Sequence, residues 1–242
     1  MYQALKIIID KLQAFLDRKL KKHDTKIPYL ITSFLGFIFV IVLIKFFVEL
    51  TQSLQTEMLA DFDAKVSEYI TSFRTPNLTQ YFIFVTDVGD TWGYISVFSL
   101  CSILFYCFFK RWKYVGQLAL VLLLALSSNI VLKQLINRAR PSLEHLVTVK
   151  TLSYPSGHAM TAMAFYGFLI YLIATFKINQ FLKFAIIVLC SFLILSIGIS
   201  RVYLAVHFPS DVLGGFIAGF AWVALCILIL NLLKVFKEDP NT

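Results

Sequence analysis

From residue 181 to residue 233 the chain reads FLKFAIIVLCSFLILSIGISRVYLAVHFPSDVLGGFIAGFAWVALCILILNLL. Its two apolar runs, 181–203 and 212–233, are each long enough to cross about 30 Å of hydrocarbon as a helix. The short connection between them holds a guanidinium, Arg201, an imidazole, His207, and a carboxylate, Asp211. Ionisable side chains in or beside a bilayer are costly and are retained mainly where they pair, contact a ligand or line a wet cavity. The connection therefore reads as a site held between two spans. His207 and Asp211 are four apart, so if Pro209 and Ser210 open a helix, the carboxylate meets the imidazole from the first turn and fixes its tautomer.

Four more runs of this kind lie upstream, at residues 29–50, 92–109, 114–136 and 158–176. With 242 residues, 59% hydrophobic and only 15% charged, the composition excludes a soluble domain of this length and implies an all-α, polytopic membrane protein with six transmembrane helices. The net charge of +8 bears on topology and gives no reason to expect a nucleic-acid partner. Lys and Arg gather before the first run, at Lys110, Arg111 and Lys113, at Lys177 and Lys183, and at Lys234 and Lys237. All of these fall on one side, the cytoplasm by the positive-inside rule, with both termini. On the other side, residues 138–150 and 201–211 carry cations against that rule, so something besides topology put them there. The expected organisation is a basic N-terminal segment over 1–27, a six-helix membrane domain over 28–235 and a cytoplasmic tail over 236–242.

Leu5, Ile8, Ile9, Leu12, Phe15, Leu16 and Leu20 recur at helical spacing opposite Lys6, Lys11, Arg18 and Lys19, which predicts an amphipathic helix on an anionic membrane surface or against a partner helix. No cleavable signal peptide is expected, because the first span follows a long basic segment. Met58, Leu59, Phe62, Val66, Tyr69, Ile70 and Phe73 alternate with Asp61, Asp63, Lys65 and Glu68, predicting a second surface helix, on the outer side. Residues 76–90, with Asp87, Gly89 and Asp90, read as a break before the second span, their aspartates solvated. Lys45 and Glu49, one turn apart near the end of the first span, read as snorkelling side chains. Cys101, Cys107, Cys190 and Cys226 lie inside apolar runs and read as packing residues.

Two further stretches carry chemistry. Residues 133–141, KQLINRARP, put Lys133 near the end of an apolar helix and Arg138 and Arg140 just past it, with Pro141 ending the pattern. Taken alone, Lys133 is a snorkelling lysine. Residues 154–158, YPSGH, form a turn in which Gly157 can bring a backbone N–H close to an anion. His158 then opens the next span. His158 and Arg201 are 43 residues apart, enough for two crossings, so Lys133, Arg140, Ser156, His158, Arg201, His207 and Asp211 share one membrane face. Three cations, a hydroxyl, a free N–H and two imidazoles with one carboxylate suit a phosphate dianion. The carboxylates a magnesium site would want are not in this set.

The three blocks, Lys133-x6-Arg140-Pro141, Pro155-Ser156-Gly157-His158 and Ser200-Arg201-x5-His207-x3-Asp211, resemble the three-part signature of the type 2 phosphatidic acid phosphatase superfamily. With the six spans, the resemblance covers roughly residues 30 to 233. Ala205 is a departure, since relatives often carry glycine there. The resemblance implies an integral-membrane lipid phosphatase with no metal or other cofactor, its active site on the extracytoplasmic face of a cell membrane. It implies that His207 attacks phosphorus to give a phosphohistidine, that Asp211 orients His207, and that His158 protonates the leaving oxygen. Lys133, Arg140, Arg201, the Ser156 hydroxyl and the Gly157 N–H would hold the phosphoryl oxygens. Substrates accepted by such proteins include polyprenyl diphosphate, phosphatidylglycerol phosphate and phosphatidic acid. Two other readings stand beside it: a lipid phosphotransferase using the same phosphohistidine, and an anion transporter. The transporter calls for ionisable groups in mid-span, whereas here they gather at one face. A serine hydrolase using Ser156 lacks G-x-S-x-G, and the six spans argue against the soluble haloperoxidases that share these motifs.

Overall fold

The computed structural model of the protein describes Lys11 and residues 27–142, 144–148 and 151–237. Apart from Lys11, the amphipathic helix expected over 2–20 lies outside the described residues, as does the tail beyond 237. The described residues form eight α-helices: α1 Ile27–Gln52, α2 Glu57–Thr71, α3 Pro76–Val88, α4 Thr91–Phe109, α5 Lys113–Ile136, α6 Gly157–Thr175, α7 Gln180–Tyr203 and α8 Pro209–Lys237, with a 3₁₀ turn at Ser53–Gln55. Six of them, all but α2 and α3, are long and apolar enough to cross a membrane. The protein is an all-α, multi-pass membrane protein, and each span matches its expected run to within a few residues.

Residues 27–42 and 224–237 form one compact unit and Leu43–Val223 another. In the first, Val40 is buried and Gly36 faces the Leu228 side chain. The second holds everything relevant to the site. Its central element is α6, of which 61% is buried, against 28% or less for the other spans. Small residues allow this: a Cβ at Gly219 of α8 would stand 2.5 Å from the Met160 carbonyl oxygen of α6, so only glycine permits that backbone approach.

Sequence chemistry also sets the helix ends. Asn179 caps α7 by accepting from Phe181 N and Leu182 N, and Thr56 caps α2 by accepting from Leu59 N. The expected break over residues 76–90 is instead the helix α3. Thr75 accepts from Leu78 N and Pro76 occupies the first turn, the start signal of a helix. The α2–α3 corner is locked onto the end of α7. Arg74 donates through Nε (3.1 Å) and Nη2 (2.8 Å) to the Tyr203 carbonyl, the Tyr203 hydroxyl accepts from Thr75 N at 3.1 Å, and the Phe82 and Tyr203 rings pack with centroids 4.5 Å apart.

Three of the cysteines read as packing residues are buried. Cys107 is the exception, exposed on α4. Lys45 and Glu49 form an exposed pair at 3.5 Å.

Candidate active site

The ends of α3, α5 and α7, the start of α6 and the connection that carries His207 meet around a cavity of about 330 Å³. The lining includes Lys133, Arg140, Gly157, His158, Arg201 and His207, brought from three segments far apart in the chain. Asn137 ends α5 in the left-handed region at φ 50°, a conformation asparagine tolerates, and turns the chain back toward the helix ends. Backbone hydrogen bonds then tie the connections together: Ser153 N donates to Arg138 O (2.9 Å), Ser156 N to Asp211 O (3.0 Å) and His207 N to Arg201 O (3.1 Å).

His207 is buried between a cation and an anion. Arg140 Nη1 lies 3.4 Å from Nε2. Because a guanidinium can only donate, Nε2 presents its lone pair and the ring proton sits on Nδ1. Nδ1 lies 3.4 Å from both Asp211 Oδ2 and Ser153 Oγ. Asp211 Oδ2 also accepts from Ser153 Oγ (2.5 Å) and Phe208 N (2.8 Å), which fixes the carboxylate before the imidazole uses it. Burial drives the His207 pKa down to about 3, although Asp211 opposes the shift. His207 is therefore a neutral imidazole with an available Nε2 lone pair.

Across the cavity, His158 Nε2 lies 2.8 Å from Asp90 Oδ1. The distance is that of an ion pair, but the angle falls outside hydrogen-bond geometry, and Nε2 counts among the buried atoms without a hydrogen-bond partner. The neighbouring imidazole, followed by the charge of Arg201, holds the Asp90 carboxyl below its usual range. Arg201 donates from Nη1 to Thr86 Oγ1, while its buried Nε has no partner. Arg201 Nε thus remains open to a ligand, and His158 Nε2 faces the cavity from beside Asp90.

Lys133 and Arg140 converge on residues 151–152. Lys133 Nζ donates to Thr151 Oγ1 (3.3 Å) and to the Leu152 carbonyl. Arg140 donates from Nε to Thr151 O (2.6 Å) and from Nη1 to Val206 O (2.5 Å). Burial lowers the Arg140 pKa from its ordinary value, with Asp211 opposing. A Cβ at Gly157 would stand 2.9 Å from Asn129 Oδ1, so glycine keeps this corner of the cavity open.

Seven of the eight residues singled out in the sequence stand in this arrangement: six line the cavity and Asp211 supports His207 from behind. Ser156 does not line it. It is fully buried, and its hydroxyl caps α6 by accepting from Ala159 N at 3.5 Å. Asp87 and Asp90, read as solvated, are exposed and also line the cavity. Asp63, read as part of a solvated face, is buried. The site also recruits Thr86, Asn129, Thr151, Ser153 and Arg138, which the motifs do not mark. Two carboxylates at the mouth of a span, Asp87 and Asp90, were a signal of the same kind as Arg201 and His207. Ala205 adopts φ 60°, the left-handed region, a conformation that glycine takes without strain.

Residues 114–234 match the PAP2 superfamily. The chain belongs to that superfamily, a phosphatase family, and is a multi-pass membrane member of it. It is 30% identical over 200 residues to phosphatidylglycerophosphatase B of Bacillus subtilis strain 168, covering 80% of this chain and 92% of the relative. Among solved structures it resembles the transmembrane PAP2-type phosphatidylglycerolphosphate phosphatase of Bacillus subtilis, with a TM-score of 0.70 and 28% identity over 83% of this chain and 98% of that one. It also shares its fold with Aquifex aeolicus LpxE, at a TM-score of 0.54 and 24% identity over 70% of this chain and 93% of that one.

Proposed function

We propose that this protein hydrolyses lipid phosphates at the outer face of a cell membrane through a phosphohistidine on His207, without a metal ion. The observation that carries the reading is the orientation of His207: Nε2 is aimed at the basic side of the cavity while Nδ1 is held by Asp211 and Ser153. In the first step Nε2 attacks phosphorus, the P–O bond to the lipid alcohol breaks, and His158 delivers its proton to the departing oxygen. In the second, water attacks phosphorus, His158 takes the water's proton, and the P–N bond breaks to restore neutral His207. Lys133, Arg140, Arg201 and the Gly157 N–H would stabilise the equatorial oxygens as charge redistributes. Ser156 serves this reading by capping α6 behind Gly157. Asp90, 2.8 Å away, would hold the His158 ring in place.

An apolar groove of about 370 Å³, bordered by Tyr94, Ile95, Phe98, Leu122 and Leu126, shares Asp90, Asn129, Gly157 and His158 with the cavity. A lipid tail lying there keeps its phosphate at the helix ends, so the substrate need not leave the bilayer. The relatives' names make phosphatidylglycerophosphate the first substrate to test, ahead of polyprenyl diphosphate and phosphatidic acid. The distribution of basic residues supports cytoplasmic termini and an extracytoplasmic site.

The test is phosphate release by the purified protein across these three lipids in the presence of a chelator, with His207→Ala as control. Full activity in chelator, loss of turnover and of alkali-stable covalent labelling together in His207→Ala, and free phosphate as the product are expected. Strict magnesium dependence, or a His207→Ala variant that still turns over, excludes the mechanism. A phosphorylated acceptor in place of free phosphate makes the protein a phosphotransferase instead.

A further inference from the structure

Asp63 lies on α2, outside all three sequence blocks, yet it is 1% exposed and every contact it makes leads to the start of α8. Its Oδ1 accepts from Ser210 N at 2.8 Å, and its Oδ2 from Ser210 Oγ at 2.5 Å and Arg138 Nη2 at 2.8 Å. Arg138 then donates from Nη1 to Asp211 Oδ1 at 2.6 Å and to Ser210 Oγ at 2.7 Å. Its guanidinium also lies over the Phe208 ring, 4.3 Å from the centroid. One guanidinium thus bridges two buried carboxylates, and the farther carboxylate also caps the helix that carries the nearer one. A buried charge is costly unless paired and hydrogen-bonded, and a surface helix has no need of a buried aspartate for its own stability.

We infer that Asp63 is a positioning residue for the reaction, acting through Arg138 and the first turn of α8 to fix Asp211 and thereby the ring of His207. This rests on the reading of His207 as nucleophile. The geometry divides the work on Asp211 between its two oxygens: Oδ1 is held by Arg138, which leaves Oδ2 for Ser153, Phe208 N and the imidazole. Asp63 satisfies the Ser210 N–H, an otherwise unpaired donor of the helix start, so that turn cannot rotate and swing Asp211 away. It also shares the charge of Arg138. Without Asp63 the whole guanidinium charge falls on Asp211, which then holds the Nδ1 proton of His207 less strongly and leaves Nε2 a poorer nucleophile.

The test is a double-mutant cycle in full-length protein reconstituted in nanodiscs, with Asp63→Ala, Asp211→Asn and the pair, and Asp63→Asn as the gentler variant. Phosphate release from a lipid phosphomonoester and thermal unfolding are read in parallel. Expected is a fall in kcat of about tenfold or more in Asp63→Ala with KM changed less than about threefold, which marks a loss confined to the transition state. The same substitution made on top of Asp211→Asn is expected to cost less than about threefold, because residues acting as a unit are non-additive. Asp63→Asn, which keeps an oxygen for Ser210 but loses the charge, should fall between. Equal losses in both backgrounds, or an unchanged kcat in Asp63→Asn and Asp63→Ala, overturn the inference. If Asp63→Ala does not fold, the Asp63→Asn cycle decides alone. His207→Ala runs alongside: if it retains turnover, the nucleophile reading has failed, whereas a dead His207→Ala with additive Asp63 effects removes only the role given to Asp63.

Discussion

At the scale of single residues, the two imidazoles of the cavity differ in what surrounds them. His207 is enclosed and pushed down to about 3 although Asp211 opposes the shift, and it pairs with Asp211 through Nδ1, while His158 meets Asp90 at 2.8 Å through Nε2. A lowered histidine pKa means that the ring is neutral above that pH, so under the proposed mechanism His207 is ready to attack throughout the mildly acid to alkaline range. The acid limb of kcat/KM, corrected for ionisation of the substrate phosphate, is therefore expected well below the ordinary histidine value of about 6.5. A bound dianion favours the protonated ring, so the acid limb of kcat should lie at higher pH than that of kcat/KM. The alkaline limb reports loss of the proton that His158 must donate. Profiles of the two parameters measured from acid to alkaline pH check this, and a flat kcat/KM up to the alkaline end would remove His158 as the acid. The motif residues were legible because charge in so apolar a chain is conspicuous. Asp90 was not, because its partner His158 belongs to a different block and an aspartate beside a glycine looks the same in a solvated turn.

At the scale of elements, the helices that cross the membrane were legible from length and hydropathy, and α2 from its 3.6-residue period. The burial of Asp63 was not, since an aspartate on the polar side of an amphipathic pattern gives no sign of what will cover it. Helix α3 escaped because its 13 residues are too few to span a membrane and Asp87, Gly89 and Asp90 at its end marked the stretch as a break, although Leu78, Tyr81, Phe82 and Val85 recur at helical spacing. Helix α3 and the α2–α3 corner join α7 at Tyr203 through Arg74, Thr75 and Thr79, at Ser196 through Tyr81 and at Arg201 through Thr86. Two hydrogen bonds from the charged Arg74 to one carbonyl should contribute about 1.5–3 kcal/mol. Arg74→Ala is accordingly expected to lower the thermal unfolding temperature and to raise amide exchange in α2 and α3 ahead of the spans. Arg74→Lys, with one donor group in place of the fork, should recover part of the loss. Exchange that rises equally in α4 and α5 would show that the corner is not an independently anchored unit.

At the scale of the whole membrane unit, Leu43–Val223, the charged cavity and the apolar groove are continuous through Asp90, Asn129, Gly157 and His158. On the proposed function each half has different work: the cavity handles phosphorus, and the groove supplies binding energy from the lipid tail. Because those terms are separable, a substitution in the groove should separate substrates by their tails and not by their phosphates. Leu126 borders the groove and not the charged cavity, and a larger ring there would occupy the space a tail needs. Leu126→Trp is expected to raise KM for a long-chain lipid phosphate about tenfold or more, the loss of a few buried methylenes at about 0.8 kcal/mol each. A water-soluble phosphomonoester that has no tail should keep both kcat and KM within about twofold, since binding that is equal in ground and transition states appears in KM alone. Kinetics on the two substrates, in mixed micelles at fixed surface concentration of lipid, measure the difference. If the two lose activity equally, the groove supports the cavity wall and the tail lies elsewhere. If only the lipid suffers, the spans around α4 and α5 act as part of the binding site, and the position of His158 at the start of α6 follows from the need to meet the phosphate where that tail ends.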